Sequence, residues 1–183
     1  MPLIDSPVMC CIIVDTQSKV ERTTESILKQ NGWKFIQDGR YTSASPLSIN
    51  SGVKTKITFS LSQLAYQDGK LLDLAYDQTS NKFLPSQVGA TYMTNFRFKA
   101  KSSSQNNIVD VALESPSVSF NPIVAESVTF NKSANTEQFI SITQPIFITQ
   151  DVITNGLEIY ITPNGGTLSV YDYSVFIQKT FIP

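Results

Sequence analysis

Apolar and polar residues alternate with a period of two along much of this chain. In VKTKITFSL, Val53, Thr55, Ile57, Phe59 and Leu61 share one side, while Lys54, Lys56, Thr58 and Ser60 share the other. NFRFKAK sets Phe96, Phe98 and Ala100 against Arg97, Lys99 and Lys101, and IVDVALE sets Val109, Val111 and Leu113 against Asp110, Ala112 and Glu114. Successive side chains of a strand point to opposite faces, so each stretch predicts a half-buried antiparallel strand. Further strands are predicted at 8–14, 33–37, 71–76, 118–120, 127–130, 139–143, 146–149, 157–162 and 167–177. Turn dipeptides separate them at Asp38-Gly39, Asp68-Gly69, Asn155-Gly156 and Asn164-Gly165. ITPNGGTLSV reads as a hairpin joining two late strands, and Pro145 marks an edge, bulge or corner.

Two segments break the alternation. In SKVERTTESILKQNG, Ser18 and Glu21 form a capping box and Gly32 stands where a helix would stop, which predicts a short helix in an N-terminal arm. The second is the tail, YDYSVFIQKTFIP. Tyr171, Tyr173, Val175 and Ile177 line one face, Phe176 falls on the other, and Phe181 and Ile182 stand near the end. A strand apolar on both sides needs cover on both. The expectation is a central strand, packed inward on one face and against an identical neighbour on the other, with Tyr171, Tyr173, Phe176, Phe181 and Ile182 as subunit-interface residues.

Many short strands with turns every eight to twelve residues mean a sandwich or barrel. An immunoglobulin-type sandwich would carry a Cys–Trp–Cys mark that is missing here. The predicted architecture is an all-β, antiparallel jelly-roll sandwich over residues 33–183, preceded by an arm over 1–32 that contains one short helix. A length of 183 residues fits one domain. No heptad series or Gly-X-Y run is present, so any oligomer is held by the globular body.

Composition narrows the chemistry. The chain has no histidine, which removes Ser–His–Asp and Cys–His nucleophile systems. Cys10 and Cys11 are adjacent and cannot close a zinc shell alone, so they read as two free thiols and no metal or cofactor is expected. Net charge is −1, so no overall field draws the chain to nucleic acid or an anionic membrane. The apolar run at 8–14 is too short to span a bilayer and lacks a basic leader. Asn131-Lys132-Ser133 matches a glycosylation acceptor, read here as chance without a secretory route. Asp110 and Glu114 share a face four residues apart, roughly 13 Å along a strand, beyond the about 5–9.5 Å that paired glycosidase carboxyls need. The reading is therefore not an enzyme, with cross-strand carboxylate pairs left open. Lys54, Lys56, Arg97, Lys99 and Lys101 would form a basic stripe if their strands were neighbours; otherwise they are a solvated face. Trp33, Tyr41, Tyr66 and Tyr92 are candidate sugar-stacking residues, the basis of an alternative reading as a carbohydrate-binding module of a phage head or tail fibre; the competing reading is core packing.

GATYMTNFRF, with Gly89, Tyr92, Phe96 and Phe98, resembles the Gly–x–Tyr–x–Phe type of strand in tumour-necrosis-factor/C1q-like jelly rolls. The tail resembles their last strand, which lies near a threefold axis, although the small-residue stretch usual there is absent. The order of landmarks Trp33, Asp38, Tyr41-Thr42, Pro46, Tyr76-Asp77, Lys82-Phe83, Pro85, Gly89 and Tyr92 resembles jelly-roll structural proteins of tailed bacteriophage virions. That resemblance implies a decoration, cement or head-fibre protein: a homotrimer on the capsid surface, made in the host cytoplasm, partnered by the major capsid protein or another virion protein. The arm, through Val8, Ile12 and Ile13, would then dock on that partner.

Overall fold

A computed structural model describes residues 32–60, 64–67, 74–116 and 122–181. In chain order its elements are β1 (Trp33–Asp38), β2 (Leu47–Ile49), β3 (Thr55–Ile57), β4 (Leu64–Gln67), β5 (Leu74–Asp77), β6 (Lys82–Pro85), β7 (Thr91–Ser102), β8 (Asn107–Glu114), β9 (Val124–Phe130), β10 (Glu137–Phe147), α1 (Gln150–Asn155), β11 (Glu158–Pro163) and β12 (Leu168–Phe181). A six-stranded sheet runs β10-β7-β12-β1-β4, with β2 also paired to β12. A four-stranded sheet runs β3-β11-β8-β9, and β5 and β6 form a separate hairpin. The pairings are antiparallel.

The period of two explains the core. Phe96, Phe98 and Ala100 of β7, Ile140, Ile142 and Ile146 of β10, Val109 and Val111 of β8, and Ile159 and Ile161 of β11 all turn inward. Full burial of each large side chain contributes roughly 1.5–3 kcal/mol, so these inner faces hold the two sheets together. β12 is central, flanked by β7 and β1, as its apolar composition requires. Its alternation is first broken near Asp172. Leu168 and Val170 face the core before the break; Tyr173, Val175 and Ile177 face it afterwards. Between them the register with β7 shifts and Asp172 adopts φ 50, which marks a β-bulge. Tyr171 and Tyr173 therefore do not share a face.

Several elements differ from the sequence expectation. ITPNGGTLSV is not a hairpin: β11 lies in the four-stranded sheet and β12 in the six-stranded one, so 164–167 crosses between sheets. The crossing is pinned where Asn164 N–H donates to Ile108 O (2.8 Å) and Gly165 N–H donates to Asn107 Oδ1 (2.6 Å). The strands expected at 139–143 and 146–149 are one, β10, with Pro145 inside it. β10 ends its sheet, where a residue without an N–H is tolerated. Asn155-Gly156 closes α1 rather than a turn. Thr149 caps the start, its hydroxyl accepting from Val152 N–H, and Gly156 at φ 74 donates its N–H back to Val152 O. The arm over 1–31, with Val8, Cys10, Cys11, Ile12 and Ile13, the segment 118–120, and Ile182 lie outside the described residues.

Candidate functional site: the outer face of the six-stranded sheet

Residues opposite one another in a register share a face. On the outer side of the six-stranded sheet one row runs Pro145, Met93, Gln178, Trp33, and the next Thr143, Asn95, Phe176, Phe35. A second register shift, between Lys179 and Phe181, sets Phe181 opposite Thr91, which also pairs with Phe147. The result is an apolar end to the face. Phe147 and Phe181 are each 57% exposed, and Met93 stands out beside them. Trp33 and Phe176 stack with ring centroids 5.8 Å apart and are half-buried. The other end is charged: Lys99 Nζ lies 3.1 Å from Asp172 Oδ2, and Lys101 Nζ sits 5.9 Å from the Tyr171 ring centre.

The tail residues thus have different fates. Tyr171 and Tyr173 are covered by the chain itself. Tyr171 OH donates to Glu137 Oε2 (2.5 Å), and Tyr173 OH donates to Thr58 O (2.6 Å). Burial pushes both phenols up from the ordinary tyrosine value, with Glu137 adding to it for Tyr171 and Asp38 for Tyr173. Of the interface residues expected from the sequence, Phe176 and Phe181 are the described ones with apolar surface to offer a neighbour. The sequence reading missed Met93, Pro145 and Phe147, because their contribution depends on β10 lying beside β7.

The sugar-stacking candidates are mostly inward or paired. Tyr92 is in the core, Tyr41 packs against Tyr173 at 5.9 Å, and Trp33 is stacked on Phe176. The side chain of Tyr66 lies outside the description. The basic residues do not form one stripe. Lys54 and Lys56 flank the four-stranded sheet, whereas Arg97, Lys99 and Lys101 belong to the six-stranded one.

A cross-strand carboxylate pair is present: Glu158 of β11 stands opposite Glu114 of β8. Cations hold both. Lys54 Nζ is 2.5 Å from Glu114 Oε2, Lys56 Nζ is 2.8 Å from Glu158 Oε1, and Lys82 Nζ is 3.6 Å from the same oxygen. Tyr160 OH donates to Glu158 Oε2 (2.5 Å). Burial alone would raise the Glu158 carboxyl, but hydrogen bonds from Lys56 and Tyr160 and the charges of Lys56 and Lys82 outweigh it and hold the group below the usual range. The cluster joins β3, β6 and β11. Asp110, the other member of the β8 pair weighed in the sequence, instead accepts from Ser127 Oγ (2.5 Å) and Asn164 Nδ2 (2.6 Å).

At one end of the sandwich Asp38 is fully buried and accepts from Arg40 N–H (2.8 Å), Arg40 Nε (2.8 Å) and Ser60 N–H (2.8 Å). Arg40 Nη2 continues to Thr58 O (2.5 Å) and Tyr173 OH (3.3 Å). This clasp ties the end of β1 and Tyr173, within β12, to the exit of β3, and so joins the two sheets. Among the described residues no group of three or more His, Cys, Asp and Glu is placed to hold a metal ion, and no helix is long and apolar enough to cross a membrane.

No protein-family model and no curated protein matches this chain. Solved structures do. Eiger, a tumour necrosis factor from S. frugiperda, superimposes with a TM-score of 0.51 at 8% identity, over 84% of this chain and 95% of that one. The chain shares with that protein the antiparallel jelly-roll sandwich fold. The PRD1 vertex protein P5 gives a TM-score of 0.49 at 16% identity, over 83% of this chain and 98% of that one. The globular domain of zebrafish complement 1qA protein gives 0.44 at 16%, over 82% and 97%.

Proposed function

We propose that this protein is a structural subunit of a phage-like virion, a homotrimeric capsid decoration or cement protein that works by protein–protein contact. The observation that carries the assembly is the apolar end of the outer sheet face, built from Met93, Pro145, Phe147, Phe176 and Phe181. Covering the exposed part of Phe147 and Phe181 contributes about 1–2 kcal/mol apiece, repeated in every copy. A cyclic arrangement lets identical faces cover one another around one axis. Three copies, and a last strand close to the axis, follow from the resemblance of the tail to that of tumour-necrosis-factor-like jelly rolls. The virion setting rests on the order of landmarks from Trp33 to Tyr92, which resembles phage jelly-roll proteins. In this reading the arm, through Val8, Ile12 and Ile13, grips the capsid, and many weak contacts add up by valency.

The test is to band intact particles on a density gradient from cells that carry this sequence. The chain co-migrates with the particles if the reading holds. Recovery of all of it in the soluble fraction, with particles present and the chain absent from them, overturns the virion role.

A further inference from the structure

The segment 164–167, which crosses between the sheets, is strapped along its length to 102–108. Asn164 N–H donates to Ile108 O (2.8 Å), Ser103 N–H donates to Thr167 O (2.9 Å), and Thr167 N–H donates to Ser103 Oγ (2.9 Å). Ser104 Oγ donates to Gly165 O. At the centre stands Asn107, fully buried. Its Oδ1 accepts from Gly165 N–H (2.6 Å), and its Nδ2 donates to Ser102 Oγ (2.9 Å) and Gly166 O (3.2 Å). The amide must point this way, since a flip would set its NH₂ against the Gly165 N–H. The fit also needs the glycine: a Cβ at 165 would stand 3.1 Å from Asn107 Oδ1 and 3.3 Å from Asn107 Cα.

That need places a glycine directly after an exposed asparagine, Asn164. An Asn-Gly pair is open to deamidation, because no Cβ hinders attack by the glycine nitrogen. In that reaction Gly165 N gives up its proton and bonds to Asn164 Cγ. The Cγ–Nδ2 bond breaks, and ammonia leaves with that proton. Water then opens the cyclic imide at either carbonyl, leaving an aspartyl or an isoaspartyl link. Here both reacting groups are held. Asn107 takes the attacking N–H, and the departing Nδ2 donates to Asp110 Oδ2 (2.6 Å). We propose that Asn164-Gly165 is a deamidation site and that Asn107 keeps it shut in the folded chain. Opening it changes the crossing for good. A carboxylate replaces the amide that donated to Asp110, so two like charges meet, and an isoaspartyl link lengthens the backbone between β11 and β12. The site lies at the far end of β7 from Phe147 and Phe181, so it stands whether or not those residues build a trimer.

Two of the chain's three Asn-Gly pairs lie among the described residues, and the second is an internal control. Gly156 N–H is held by Val152 O (2.8 Å) at the end of α1, without Asn107. The full chain is incubated at mildly alkaline pH, and deamidation at each asparagine is followed by peptide mass mapping. In the folded parent, Asn164 should deamidate at least about a hundredfold more slowly than in the same chain unfolded in guanidinium. Equal rates overturn the claim that the fold shuts the site. Asn107→Ala removes the acceptor and should speed Asn164 at least about tenfold over the parent, with Asn155 within about twofold. Asn107→Asp keeps an acceptor for Gly165 N–H and should leave Asn164 within about threefold of the parent. An unchanged rate at Asn164 in Asn107→Ala overturns the guard. So does an equal rise at Asn155, which marks general loosening, or an acceleration by Asn107→Asp as large as that by Asn107→Ala.

Discussion

Replacing Asp38 by alanine isolates the clasp between the two sheets. The carboxylate has no solvent exposure and serves Arg40 and Ser60 at once. Its loss strands the Ser60 N–H and leaves the Arg40 guanidinium, hydrogen-bonded to Thr58 and Tyr173, without its counter-charge. Breaking a buried pair from one side costs about 3–5 kcal/mol. The Arg40 side chain is 31% exposed and can rehydrate in part, which places the expected cost near the lower end, about 3 kcal/mol. For a domain of this size each kcal/mol moves Tm by about 2–4 °C, so Asp38→Ala should melt about 6–12 °C lower. Asp38→Asn keeps one acceptor and loses the charge, so it should fall between. Thermal melts followed by circular dichroism are the assay, run at one protein concentration because association shifts Tm. A melt of Asp38→Ala within about 1 °C of the parent would refute the idea that this clasp joins the sheets.

Three further outcomes follow from the geometry. Phe147→Asp combined with Phe181→Asp puts two charges into the proposed trimer seam and should yield folded monomers by light scattering; an unchanged trimer would remove this face from the assembly. Glu158 has a folded pKa below its unfolded one, so the unfolded chain binds more protons between the two. The stability it contributes is full above the unfolded value, about 4.3, and is lost as pH falls through the folded value; in urea melts the gap between the parent and Glu158→Gln should narrow over that window, and a constant gap would contradict it. Asp172 sits at φ 50, where a side chain with no local hydrogen bond costs about 1–2 kcal/mol. Asp172→Ala should therefore lower urea stability by about that much, while Asp172→Gly stays within about 0.5 kcal/mol of the parent; equal losses for both would show that the bulge is not what the position needs.

The sheets were legible in the sequence wherever one face is buried and the other wet. Phe96, Phe98 and Ala100, and Val109 and Val111, turn inward as their alternation predicts. The centrality of β12 was legible too, since apolar residues on both faces require neighbours on both sides. What was not legible depends on events that leave no hydrophobic trace. The bulge at Asp172 reverses the facing of the tail, so Tyr171 and Tyr173 part company although their spacing is two. Asn164-Gly165 reads as a hairpin by local turn chemistry, but its strands find partners in different sheets, and only long-range pairing decides that. β2 and β6 are three and four residues long, too short for periodicity to register. α1 is also short, although Thr149 followed by Asp151 and closed by Gly156 was a readable cap-to-cap signal. The candidate face was half visible: Phe176 and Phe181 come from the tail itself, whereas Met93, Pro145 and Phe147 join them only through the registers of β7 with β10 and β12.

The account's central claim is that copies of this chain shield the outer face of the six-stranded sheet. The most direct measurement is the mass of the purified full-length protein in solution by light scattering coupled to size exclusion, over a range of concentrations. The account predicts three times the 20.3 kDa chain mass. A mass of one chain at every concentration, with Phe147 and Phe181 left open to water, would contradict it.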